Sequence, residues 1–133
     1  MKDRRVFDIA EFLQSSDDEP IRSIVRESPH ATIIAWTMSP GQRIVLHTHP
    51  QGQDTWTVIS GEGAYQTDDA GSVQSIRAGH VVVATAGQVH GVLNSGTLPL
   101  VFVSVVCPLD AGYQALPAPT CMTPPFPSSS WLE

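Results

Sequence analysis

The sequence predicts an all-β fold, a sandwich or closed barrel in one domain, and three observations carry that expectation. Short runs rich in β-branched and aromatic residues recur from Ile21 to Val106. Clusters of Gly, Pro, Asn, Asp and Ser, the residues that favour turns, separate one run from the next. The chain of 133 residues is long enough to enclose a core, and it carries no internal repeat or domain linker. Many short strands at near-regular spacing with almost no helix form the pattern of sandwiches and barrels.

Taken in order, "DIAEFL" (8–13) reads as one short helix, with Asp8 as N-cap ahead of the apolar Ile9, Phe12 and Leu13. The polar run "QSSDDEP" ends it. Strands follow at "IRSIV" (21–25), "ATIIAWTM" (31–38), "QRIVLHTH" (42–49) and "DTWTVI" (54–59). Further strands are "GAYQT" (63–67), "VQSIR" (73–77), "HVVVAT" (80–85), "VHGVLN" (89–94) and "LVFVSVV" (100–106). The intervening "SPG", "SGEG", "DDAG", "AG", "AGQ" and "NSGTLP" are turns. After Cys107 the chain holds most of its 11 prolines, which bars central strands. The expected organisation is therefore an N-terminal helix and leading strand over 1–28, a barrel over 29–108 and an extended proline-rich tail over 109–133, all one structural domain.

Composition narrows the function. Hydrophobic residues make up 41% and charged residues 15%, as in a folded protein, and the formal net charge is -6. The cations gather near the N-terminus in "KDRR" and form no basic stripe, so nucleic acid is not an expected partner. No run is apolar enough for a membrane span or for the core of a signal peptide, which gives the cytoplasm as the expected location. Two cysteines, Cys107 and Cys121, are too few for a disulfide framework and are expected as thiols.

The stretch "HTHPQGQD" (47–54) carries the candidate chemistry. Alternation along a strand sets His47 and His49 on one face, with Arg43 and Val45 preceding them there and Ile44 and Leu46 on the other. Two imidazoles on a rigid strand bind one cation if other strands bring more ligands. Counting outward gives G-x5-H-x-H-x4-D-x6-G from Gly41 to Gly61, then G-x5-T-x-G-x2-H-x3-N from Gly79 to Asn94. These paired strings resemble the two motifs of the cupins, a family of small β-barrels. The resemblance implies a single jelly-roll barrel with a metal inside, near its open mouth. It also implies that His47, His49 and His90 are ligands and that Asp54 stands at the family's glutamate position. Aspartate is a departure from the pattern, and Gln53, at the shorter spacing, is the alternative fourth ligand. Thr85 replaces the usual proline, which concerns a turn more than the chemistry.

Three imidazoles and a carboxylate suit one divalent transition metal per chain (Fe, Mn, Ni, Zn, Co or Cu) and not calcium or magnesium. Trp56 is a candidate pocket wall and Tyr65 a candidate hydroxyl donor to a ligand. Gln88 is a candidate neighbour of the metal, and Arg43 a candidate anion binder at the mouth. Asn94 is expected to satisfy backbone groups at a turn. What the resemblance implies for function is a metal-dependent enzyme, dioxygenase-like or else an isomerase or decarboxylase, acting on a small oxygenated organic molecule. The competing expectation is a barrel that binds or senses a small molecule without turnover. Apolar strands such as "TIIAW", together with the tail, point to a homodimer.

Overall fold

In a computed structural model describing residues 3–117, alternation and turn chemistry produce ten strands. These are β1 (Ser23–Glu27), β2 (Thr32–Met38), β3 (Arg43–Thr48), β4 (Gln53–Ser60) and β5 (Glu62–Gln66). The rest are β6 (Val73–Arg77), β7 (Val81–Ala84), β8 (His90–Leu93), β9 (Leu100–Cys107) and β10 (Gln114–Ala115). Two five-stranded antiparallel sheets result, ordered β1-β2-β9-β4-β7 and β10-β3-β8-β5-β6. All nine strands expected from the sequence form, within two residues of their expected ends. β10 is an addition, a two-residue edge strand that the proline-rich composition concealed. The expected helix shrinks to a 3-10 turn over Ile9–Glu11, though Asp8 does cap it by accepting from the Ala10 amide at 3.1 Å. Cys121 and the tail beyond residue 117 lie outside the described residues.

The inward-facing residues run along each strand from a filled core to an open cavity. On β4 the series is Val58, Trp56, Asp54; on β9 it is Leu100, Phe102, Ser104, Val106; on β2 it is Met38, Trp36, Ile34. Met38, Val58, Val92, Leu100 and Phe102 are almost fully buried and close one end. Trp56 stacks on Phe102 with ring centroids 4.4 Å apart, and Trp36 stacks on the same ring at 6.2 Å. Ile34, Val106 and Ala111 form a smaller cluster at the cavity end. Within "TIIAW", Ile34 and Trp36 therefore face inward and line the cavity, and only Ile33 and Ala35 belong to the outer face.

One irregularity redirects a side chain. On β3 the pairing with β8 passes from Ile44↔Val92 to His47↔His90, three residues against two. The extra residue inverts the alternation, as a bulge does. Ile44 and His47 consequently share the inner face, while Arg43, opposite Leu93, falls on the outer one. The uniform alternation that set Arg43 beside His47 does not hold. Arg43 is instead buried on the far side of this sheet, where it donates to the Gln66 side-chain oxygen at 3.3 Å.

Candidate metal centre

β3 delivers His47 and, just past its end, His49; β4 delivers Asp54 and β8 opens on His90. One ligand atom from each of the four lies within 4.8 Å of all the others. His47 and His90 pair directly across the β3–β8 ladder, and their rings are 4.1 Å apart. Asp54 Oδ2 lies 3.0 Å from His90 Nε2 and 3.3 Å from His49 Nε2. Its other oxygen, Oδ1, accepts from the Ser104 hydroxyl at 2.6 Å. Ser104 reaches it because β9 runs beside β4, with Trp56 opposite Ser104 and Asp54 opposite Val106.

The three imidazoles share a second feature. Each Nδ1 meets a backbone carbonyl: His47 that of Val45 at 2.7 Å, His49 that of Gly112 at 2.7 Å, His90 that of Gln88 at 3.1 Å. A carbonyl only accepts, so each Nδ1 carries the proton and each Nε2 is the nitrogen turned to the cluster. Metal-binding histidines are oriented by such partners, which fix the tautomer and the ring plane. The donor set therefore fits a divalent transition metal on an observation independent of spacing. The arrangement contains no thiolate and too few oxygens for calcium.

Electrostatics follow from burial and contact. Desolvation, helped by the neighbouring His90, lowers the His47 pKa to about 4. For His49, burial opposes the charged form, but the Asp54 hydrogen bond and the Gly112 carbonyl outweigh it and the pKa is raised. Burial also opposes charge on Asp54, yet its contacts with His49 and His90 and the hydrogen bond from Ser104 hold its carboxyl well below the usual carboxylate range. Asp54 is a buried anion, the condition a cation there requires.

Above the cluster lies a cavity of about 550 Å³. Ile34, Trp36, Ile44, Trp56 and Val106 form its apolar walls, and Arg22 and Tyr113 lie in its polar lining. Of the remaining sequence candidates, Trp56 does line this space, and its buried indole N–H has no acceptor among the described residues. Tyr65 packs edge-on to Trp56 at 5.3 Å, inside the core and not in the cavity wall. Burial, then the Asp54 charge, raises its phenol pKa and keeps it protonated. Gln53 is exposed and donates to Thr55 Oγ1 at 3.2 Å, so of the two alternatives it is Asp54 that joins the histidines. The Gln88 side chain accepts from the Thr85 amide, and it is the Gln88 backbone carbonyl that holds His90. Asn94 ties a turn as expected, donating to the carbonyls of Met38 and Leu98.

Four contributors escaped the sequence reading. Ser104 looks like a neutral interruption of an apolar strand. Gly112 acts through its carbonyl, which no side-chain motif records. Arg22 and Tyr113 stand far from the motifs in sequence, and only the folded mouth brings them near. Tyr113 lies with its ring 5.1 Å from that of His47, held there by β10, which pairs with the end of β3.

Two facing antiparallel sheets around a cluster of three histidines and an aspartate define a small β-barrel with a candidate metal centre. A family model described as a cupin domain matches residues 34–106, more than half of the chain, and the chain belongs to the cupin family. A solved structure from Klebsiella pneumoniae, an uncharacterised conserved protein with a double-stranded β-helix domain, is 47% identical. That match covers 85% of this chain and 97% of the other, with a TM-score of 0.82. An oxalate-binding protein of Thermotoga maritima is 30% identical over 69 residues, which is 52% of this chain and 55% of that protein. The chain thus spans about half the length of this curated relative. A predicted oxalate decarboxylase structure from Thermotoga maritima shares the fold at 22% identity and TM-score 0.61, covering 72% of this chain and 97% of that one.

Proposed function

We propose that this cupin is a metal-dependent enzyme with dioxygenase-like chemistry. Its substrate is a small oxygenated organic molecule bound over a divalent transition metal at His47, His49, His90 and Asp54. The observation that carries the reading is the convergence of three carbonyl-anchored imidazoles and one buried carboxylate at the cavity floor. Such an ion, when bound, supplies Lewis acidity and, if redox-active, a site for O2 chemistry. The chain's own residues do the rest. Ser104 keeps the second Asp54 oxygen occupied, so that a single oxygen faces the imidazoles. Trp36, Ile34 and Val106 exclude water from the substrate's body. Protein loaded with Fe(II) or Mn(II) should consume O2 when small 2-oxo or 2-hydroxy acids are added. An Fe-loaded protein that binds such acids yet neither consumes O2 nor changes them would contradict the enzymatic reading.

That outcome would favour a second reading, a barrel that binds without turnover. Outside the cluster, the described cavity lining holds no carboxylate, imidazole or amine to move a proton. The relative described as an oxalate-binding protein points the same way.

A further inference from the structure

The cavity has two electrostatic poles. At its floor stands the cluster of three histidines and Asp54; elsewhere in its lining is Arg22, from the segment just before β1. Arg22 is the one cationic side chain other than the histidines among the described lining residues, and no described carboxylate pairs with it. Much of the remaining wall is apolar, with Ile34, Trp36 and Val106 among its residues. The cavity of about 550 Å³ falls in the range that encloses a drug-sized ligand, far more than a two-carbon acid needs. The whole chain carries a net charge of -6, a field that repels anions, so an anionic ligand depends on local positive groups.

We propose that Arg22 is a specificity-determining residue that binds the distal carboxylate of an elongated organic acid. The other end of that acid carries two vicinal oxygens that sit over the metal centre, and its middle is an apolar chain against Ile34, Trp36 and Val106. The proposal rests on the metal-site reading above and adds the ligand's length and second charge. Guanidinium suits the role because its planar fork matches a carboxylate with two parallel hydrogen bonds.

A matched pair of probes isolates the second charge. 2-Oxoadipate and 2-oxohexanoate share a six-carbon chain and the same chelating head, and differ in the terminal carboxylate. Titration calorimetry on Ni(II)-loaded protein, with metal content measured on each sample, gives affinities free of turnover. Wild type should bind 2-oxoadipate about tenfold more tightly than 2-oxohexanoate, the scale of a charged hydrogen bond in a partly screened position. Arg22→Gln should erase that preference by weakening 2-oxoadipate alone, and Arg22→Lys should keep part of it. Equal affinities in wild type, a preference that survives in Arg22→Gln, or no binding of either acid to metal-loaded protein would overturn the proposal. Failure to load any metal would instead remove the underlying metal-site reading, and this inference with it.

Discussion

His47 is buried between two other imidazoles, and there its pKa falls to about 4 from an ordinary 6.5. Between those values the unfolded chain takes up a proton that the folded chain refuses. Stability is then fully present above about pH 6.5 and is lost as pH falls towards 4, by about 2–3 kcal/mol for a shift of this size. His49 does not mask the loss, because its raised pKa contributes stability below 6.5 and loses it only as pH rises through the raised value. Asp54, with its lowered pKa, adds its own loss only further into acid. Urea denaturation of metal-free protein at pH 7, 5.5 and 4.5 should follow this slope, and His47→Asn should flatten it. A midpoint unchanged on acidification would contradict the burial assigned to His47.

At the level of elements, the turns decide where the ligands stand. Gly61 ends the first motif with φ +81, and a Cβ there would run into the Pro99 carbonyl oxygen and Leu100 Cα. Gly87 ends the turn before His90 with φ +79 but faces open space. Gly61→Ala should therefore cost about 3 kcal/mol or more, while Gly87→Ala should cost about 1 kcal/mol, the price of the left-handed backbone alone. Thermal melts of the two variants check this, and equal losses would refute it. The same turns explain why so much was legible in the sequence. Glycines at fixed offsets and β-branched runs are local signals, and they located every strand of the two sheets except β10. The bulge between Ile44 and His47 leaves no such mark, so uniform alternation puts Arg43 on the wrong face. His47, His49, Asp54 and His90 were legible because motif spacing encodes them. Ser104, Gly112, Arg22 and Tyr113 were not, because each acts through a neighbour that only the tertiary fold supplies.

For the whole molecule, the outer face of the first sheet is a ladder of Val83, Thr55, Val105 and Ile33 beside Val81, Thr57 and Val103. Val81 and Val83 are 60% and 48% exposed, which leaves apolar surface open on this face. The homodimer we propose pairs two copies across it. Sedimentation velocity should give twice the chain mass for wild type and a monomer for the doubly substituted Val81→Glu, Val83→Glu chain; a monomeric wild type would end the idea. The proposed chemistry depends on a cation between the two sheets, and metal content is its most direct test. Tag-free protein purified without chelators should carry near one equivalent of Fe, Mn, Co, Ni, Cu or Zn by mass spectrometry. His47→Ala should lose it, Asp54→Ala should retain much less, and Gln53→Ala should be unaffected. Wild-type protein that holds no metal and takes up none when offered these ions would contradict the account.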